Sequence, residues 1–405
     1  MYINRFLEKQ IQKYLNTREI IAVTGARQCG KTTLLNHVFQ NLKKAIFIDF
    51  EDREKLELFE TDIEAFIKLY IKDYEYLFID EFQYAKEGGK KLKYIYDKHR
   101  TKIIVSGSSS SELSIHSIQY LVGRIFIFQL NPLSFEEFLS YKNKKLFTEI
   151  YFEENHSTPM IKKFNDYLNE FLIYGGYPRV VTSESEEEKR TVLKNIYNTY
   201  FLKEIKQILN LSSDYKLSKL INALALQIGG LLNYNELCST TGFTYNDLMK
   251  HLNILNKTFI TLESRPFYNN PRTELVKAPK IFFLDNGFRN TVIGNFQQTD
   301  TRSDSGNLRE NFVASELVKK ELQLRYWRSK SKAEVDFIVK KNGNPIPIEV
   351  KSKLIQPKIT KSFRSFIEKY RPKQGYVASE GLFANKKING ILVKWVPLYH
   401  IPAKI

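Results

Sequence analysis

The stretch Glu19-Ile-Ile-Ala-Val-Thr-Gly-Ala-Arg-Gln-Cys-Gly-Lys-Thr-Thr-Leu-Leu-Asn-His-Val-Phe39 decides the fold of the N-terminal part. Residues 19–24 are a short apolar run bounded by a glycine, which reads as a buried strand. Residues 32–39 carry a helical pattern. Between them, Gly25-Ala-Arg-Gln-Cys-Gly-Lys-Thr32 fits G-x-x-x-x-G-K-[ST]. Glycines let the backbone wrap a phosphate, so that N–H groups and a helix N-terminus point at it. Gly25, Ala26, Arg27, Gln28, Cys29, Gly30, Lys31, Thr32 and Thr33 are therefore the expected nucleotide-binding residues. Lys31 supplies a point charge to the β- and γ-phosphates, and the Thr32 hydroxyl a ligand for Mg²⁺. The expected cofactors are ATP and Mg²⁺.

Working outward, Ala45–Asp49, Tyr76–Asp80, Lys102–Ser106 and Ile125–Leu130 are further apolar runs, with helical patterns between the first four. Phe6, Ile11 and Leu15 predict a helix over 4–16. Strands alternating with helices predict a parallel sheet in an α/β unit that closes near residue 140. Ligands bind at the carboxyl ends of such strands. Asp80 and Glu81 stand at one, Asp80 to hold Mg²⁺ through water and Glu81 to act as general base on the attacking water. Ser106 ends the next strand, read either as a sensor of the γ-phosphate or as part of a serine-rich turn. Arg124 reads either as a surface arginine or as a finger reaching a neighbouring subunit's nucleotide, which would make the chain a homo-oligomer. Cys29 reads as a small spacer in the loop.

The chain has 405 residues, and 62 Lys and Arg against 45 Asp and Glu give a formal net charge of +17. The excess is uneven. Residues 1–200 hold 29 basic and 28 acidic side chains, whereas residues 201–405 hold 33 and 17. A basic half beside a neutral half points to a polyanion partner, and DNA is the expected one. No apolar run is long enough to span a membrane, so no membrane partner is expected. No signal peptide is evident at the N-terminus and there are only two cysteines, which fits a cytoplasmic protein.

The middle of the chain reads as helix, helix, Gly242 turn, helix and then an extended segment over about 216–270. That is the helix-turn-helix pattern with a wing. Leu248, Leu252 and Leu255 form its buried stripe. Tyr245, Asn246 and Lys250 would face a DNA groove; a helical connector or an oligomer contact is the other reading. His251 reads as a surface or packing residue. Tyr197–Leu209 looks helical. Further on, Glu334–Val339 and Ile346–Lys351 are strands of a second α/β unit. Period two puts Glu349 and Lys351 on one strand face, and Asp336 on the adjacent strand would meet them. Two carboxylates and a lysine on one face suit a Mg²⁺ site, in which the metal activates water and Lys351 positions the nucleophile. The helix over 308–317 offers a third carboxylate, Glu310 or Glu316.

Longer runs join these motifs. Gly25–Leu35, Ile79-Asp-Glu-Phe-Gln83, Ser106-Gly-Ser-Ser109, Gly123-Arg124 and Pro132-Leu-Ser-Phe-Glu-Glu-Phe138 resemble a large prokaryotic family of AAA-type ATPases whose C-terminal half is a domain of unknown function. Its other hallmarks are matched by Gly175-Gly-Tyr-Pro178, Phe283-Leu-Asp-Asn-Gly287, Tyr326-Trp-Arg328, Glu334-Val-Asp-Phe337 and Ile348-Glu-Val-Lys351. Cys29 stands where that family more often has Val. The resemblance implies an α/β protein with three parts. These are an N-terminal P-loop AAA-type ATPase domain over 1–140, a helical connector with a winged-helix segment over 141–275, and a C-terminal PD-(D/E)XK nuclease-like α/β domain over 276–405. The last is similar to nucleases that include archaeal Holliday-junction resolvases. By that similarity Glu310, more than Glu316, joins Asp336, Glu349 and Lys351. The function expected is an ATPase that binds DNA through its basic half and cleaves or remodels branched DNA. The alternative is an ATP-dependent switch acting on a protein partner, with the nuclease-like domain as scaffold.

Overall fold

The computed structural model describes residues 2–107, 120–201, 205, 215–268, 270, 272, 274 and 277–405. Ser108, Ser109 and most of 202–214, where part of the expected helix Tyr197–Leu209 falls, lie outside them. The chain divides into two compact units, 1–133 with 257–259 and the remainder. The first unit thus closes at Leu133, short of the expected 140, because the next residues open a helix belonging to the second. Ser134 accepts from the Glu137 N–H at 3.2 Å, while the Glu137 carboxylate accepts from the Ser134 N–H at 2.9 Å. This reciprocal cap starts the helix Phe135–Lys142.

In the first unit β1 (Ile20–Thr24), β2 (Ala45–Asp49), β3 (Tyr76–Asp80), β4 (Lys102–Gly107) and β5 (Ile125–Gln129) form one parallel sheet in the order β2-β3-β4-β1-β5. Parallel neighbours need crossover connections. Helices Lys31–Gln40, Arg53–Thr61, Ile63–Tyr70 and Gly88–Lys98 lie in them. The central strands β1, β3 and β4 are almost wholly buried, and the edge strands β2 and β5 are half-buried, all rich in isoleucine or phenylalanine. Ile20, Ala22, Ile48, Leu77, Ile79, Ile103 and Val105 share a core with Phe59, Phe66 and Leu92 from the helices. Strand order fixes the site. β1 feeds the phosphate loop, β4 lies beside it, and β3 lies one strand further out.

The second unit holds an eight-stranded mixed sheet. Its strands are β6 (Thr261–Pro266), β7 (Lys280–Phe283), β8 (Arg325–Arg328), β9 (Glu334–Lys341), β10 (Asn344–Val350), β11 (Gln374–Ser379), β12 (Ala384–Ile388) and β13 (Ile391–Pro397). The order is β12-β13-β11-β10-β9-β8-β6-β7. This differs from the expected separation at 275. β6 pairs in parallel with β8, Arg265 opposite Arg325 and Pro266 opposite Tyr326, so one sheet carries strands from both sides of that boundary. Trp327, Val335, Phe363, Phe366, Val377 and Trp395 build a core beneath it. Ahead of β6, helices Tyr215–Leu226, Tyr234–Thr241 and Tyr245–Lys257 follow one another, and Leu231 bridges Lys280 at the start of β7. Gly242, at φ +72, ends the second of these helices in the left-handed conformation.

Two of the hallmark runs prove to be halves of one lock. The buried Asp285 carboxylate accepts from the Gly176 N–H at 2.7 Å and caps the helix Asn286–Ile293 through the Phe288 N–H at 2.8 Å. A Cβ on Gly287 would strike the Tyr174 carbonyl, and one on Gly175 would strike Asp285 itself. The glycines are there for close approach, not for chemistry.

Candidate functional site

The phosphate loop lies between β1 and the helix Lys31–Gln40. Gly25 (φ +147) and Gly30 (φ +90) hold backbone conformations that side chains rarely adopt, and a Cβ on Gly25 would collide with the Leu130 carbonyl oxygen. Arg5 anchors the loop from outside, donating to the Cys29 carbonyl at 2.8 Å and the Asn131 carbonyl at 2.6 Å. Cys29 is buried, consistent with a spacer. The Lys31 ammonium curls back onto the loop, donating to the Gly25 carbonyl at 3.0 Å and the Ala26 carbonyl at 2.9 Å. Arg27, Gln28, Thr32 and Thr33 are exposed at its mouth. A loop bent around an inward-turned cation, followed by a helix N-terminus and the exposed Thr32, is a cradle that fits a nucleotide phosphate.

Asp80 ends β3, buried, and accepts hydrogen bonds from the Ser106 hydroxyl on β4 and from the Glu81 N–H at 3.1 Å. The sequence reading of Ser106 as a polar residue at this strand end holds in position. Its described partner is Asp80. The donor set of one strand-end carboxylate and one loop hydroxyl suits Mg²⁺. Glu81 follows in the left-handed region at φ +51. Burial pushes its carboxyl above the usual range; Asp80 beside it pushes the same way, while the Gln83 amide, Lys31 and Arg27 pull down. Gln83 donates directly to the Glu81 carboxylate. Gln83 and Asp49, which stands opposite Asp80 in the β2–β3 register, are residues the sequence reading missed. The signal for Asp49 was present, since β2 also ends in a carboxylate.

Arg124 does not join this site. It precedes β5, which runs parallel to β1 with Ile125 opposite Ile20, so it lies at the other end of the sheet from the phosphate loop. Its guanidinium pairs with Asp97 at 3.1 Å and lies over the Tyr96 ring. That placement matches a surface arginine and leaves the finger on a neighbouring subunit as the other expected reading.

In the second unit Glu310, Asp336, Glu349 and Lys351 come within electrostatic range of one another. Burial, then Asp336, pushes Glu310 up to about 8, and burial also raises Asp336 and Glu349. Glu316 is elsewhere: it accepts from the Phe135 N–H at 3.0 Å and pairs with Lys319 at 2.9 Å. Some oxygens of the cluster are already engaged. Asp336 accepts from the Val350 N–H at 2.7 Å, and Glu349 from Thr360 at 3.0 Å and Lys351 at 2.9 Å. Lys280 pairs with Glu334 at the cluster's edge. Among the described residues no three Asp, Glu, His or Cys side chains are grouped so as to hold a metal ion. The expected divalent site at Glu310, Asp336 and Glu349 therefore does not fit a metal in this arrangement; Lys351 pairs with Glu349, and burial holds the three carboxyls above their usual range. His251 is a packing residue, as one of the two expected readings has it, buried with Nδ1 2.6 Å from the Asp247 carbonyl oxygen and its ring against Phe243.

Residues 17–139 match the family model of an AAA domain. Residues 165–299 and 305–399 match two domains of unknown function (DUF8612 and DUF4143). An uncharacterized protein of Haemophilus influenzae is 25% identical over 358 residues, covering 84% of each chain. One of Mycobacterium tuberculosis is 22% identical over 362 residues, covering 88% of this chain and 75% of its own. Among solved structures, a Walker-type ATPase of Pyrococcus abyssi aligns with a TM-score of 0.47 and 16% identity, over 72% of this chain and 96% of its own. The N-terminal parallel sheet and its loop, within the residues matched by the AAA-domain model, match the P-loop ATPase fold. No helix among the described residues is long and apolar enough to cross a membrane.

Proposed function

We propose that this protein hydrolyses ATP with Mg²⁺ at the Gly25–Thr33 loop and binds DNA through its basic C-terminal half. The observation that carries the first part is the convergence of loop, Asp80 and Ser106 at the carboxyl ends of three neighbouring strands. The loop N–H groups hold the phosphates, and Lys31 exchanges the Gly25 and Ala26 carbonyls for phosphate oxygens. Thr32 and Asp80 would hold Mg²⁺, which when bound neutralises charge on the β- and γ-phosphoryl oxygens. Ser106 fixes the Asp80 rotamer. Glu81, raised by burial and held by Gln83, takes the proton of the attacking water.

The DNA reading is supported by the charge excess over 201–405 and by the order of helices and strands between Tyr215 and Phe283, which suits a winged helix. Tyr245, Asn246 and Lys250 are exposed on its third helix. The carboxylate–lysine cluster favours binding over cutting, because Lys351 occupies Glu349 and the Val350 N–H occupies Asp336. No cleavage step is derived from it. That same feature supports the second reading, a nucleotide-dependent switch whose nuclease-like part is a scaffold.

The test measures ATP turnover with and without duplex and branched DNA. Lys31→Ala is expected to abolish turnover, and turnover that survives it refutes the assigned site. DNA affinity is expected to fall steeply with salt, by about 0.9 log units per phosphate contact for each log unit of salt. A flat salt dependence refutes the charge reading. DNA that leaves turnover unchanged favours the switch. Metal-dependent cleavage that vanishes in Glu349→Ala would overturn the scaffold assignment.

A further inference from the structure

The first unit is close to neutral: residues 1–133 hold 20 Lys and Arg against 17 Asp and Glu. Its cations are not spread evenly. At the end of the sheet opposite the phosphate loop, the segments leading into β1, β3 and β4 enclose a cavity of about 680 Å³. That lies within the usual range for small-molecule sites, roughly 300–1,000 Å³. Arg18, Lys72, Arg100 and Lys102 line it, with one carboxylate, Glu75. Glu75 is already paired with Lys44 at 3.0 Å. The basin's net charge of +3 thus equals the whole excess of residues 1–133.

Lys102 is built into the wall. It is buried, and its ammonium donates to the Thr17 carbonyl at 3.0 Å, the Thr17 hydroxyl at 3.3 Å and the Glu19 carbonyl. Its charge is held in place with no carboxylate as its hydrogen-bond partner, and burial pushes it down to about 8. The Glu19 carboxylate offsets only part of that burial, so the cation gains from an approaching anion. Arg18 is held by the Tyr96 carbonyl at 3.1 Å and lies 4.8 Å from the Tyr96 ring centre. Lys72 and Arg100 are exposed at the rim. Tyr74 and Tyr76, both half-buried, add two aromatic rings to the lining.

We infer that this basin is a second ligand site, for a phosphorylated small molecule carrying a planar ring, of the nucleotide type. The four cations suit the phosphates, and Tyr74 and Tyr76 suit the ring, since aromatic side chains stack on bases. Five-residue strands separate the basin from the phosphate loop, a distance of about 17 Å at 3.3 Å per residue. Both sites can therefore be filled at once. The inference does not depend on the reading of Glu81 or of the second unit.

The test is calorimetric titration of the full-length protein with ADP, and separately with pyrophosphate, at fixed salt. Wild type is expected to show two classes of ADP site. Lys31→Ala is expected to weaken one and keep the other. Adding Lys72→Glu and Arg100→Glu to Lys31→Ala is expected to weaken the remaining class by on the order of tenfold or more, since like charge replaces attraction. The Lys72→Glu, Arg100→Glu pair alone should leave ATP turnover and the thermal midpoint unchanged, because both residues are exposed and far from the loop. A single class of ADP site that Lys31→Ala removes overturns the proposal. So does a residual class that the two charge reversals leave untouched. Pyrophosphate binding the basin as tightly as ADP overturns the ring-recognition half of it.

Discussion

Replacing Gln83 with alanine tests the catalytic reading at one atom. The Gln83 amide donates to the Glu81 carboxylate, and this donation opposes the burial that raises Glu81. A hydrogen bond to a charged group contributes about 1.5–3 kcal/mol when buried. Glu81 is only partly buried, so solvent takes over part of that loss, leaving about 1 kcal/mol. At 1.36 kcal/mol per pH unit, that is a rise of roughly 0.5–1 unit in the Glu81 titration. The general base must be a carboxylate. Activity is therefore present above its titration point and lost as pH falls through it. A higher titration point moves the loss to higher pH. The assay is kcat/KM for ATP against pH. Gln83→Ala should displace the acid limb upward by about 0.5–1 unit, with the plateau little changed. Glu81→Gln serves as control and should lower the plateau by about 10²–10⁴. An acid limb that stays where it is, in a folded Gln83→Ala protein, would refute the assignment of Gln83 as the residue that holds the base.

Three further outcomes follow from other parts of the molecule. Asp304 receives Arg289 and Arg302, both almost wholly buried, and they hold its carboxyl down at about 2. Asp304→Asn should cost about 3–5 kcal/mol in denaturant unfolding, because two buried guanidiniums lose their counter-charge. His400 is sealed against Tyr151 and His156, and burial pushes it down to about 3. The unfolded chain takes up that proton near 6.5 and the folded one does not. The stability it contributes is present above 6.5 and lost as pH falls towards 3, and His400→Phe should flatten the fall in thermal midpoint over that window. Gly25→Ala should leave the second unit's unfolding transition in place and remove ATP binding, since the new Cβ meets the Leu130 carbonyl; retained ATP affinity would contradict the loop geometry.

How much was legible depended on how local each signal was. The strand–loop–helix at 19–39 is read from neighbours in sequence, and its residues stand together as expected. The pairing of Asp80 with Ser106 follows once β3 and β4 are known to adjoin. Arg124 reads as a surface arginine or as a finger reaching a neighbouring subunit; register with β1 places it away from the chain's own loop, and a single chain does not divide those two readings. Glu310 and Glu316 were inseparable by pattern, and what divides them is Phe135, whose N–H claims Glu316 from far away in sequence. The metal reading of the C-terminal carboxylates counted acids on shared faces and could not see Lys280, which arrives from another strand, or the Val350 N–H that claims Asp336. The basin at 15–102 left no trace in sequence, since three separate connectors build it.

The ladder between β6 and β8 has a practical consequence. Cutting the chain near 275 would strip β6 of its parallel neighbour and uncover Phe267, whose N–H reaches the Tyr326 carbonyl at 2.6 Å and whose ring packs on Phe366 and Tyr370. Each fragment would present a bare strand edge beside exposed aromatic surface, the combination that drives strands of separate molecules to stack. Halves expressed apart should precipitate, and a protease nick in that connector should leave two pieces that still travel together.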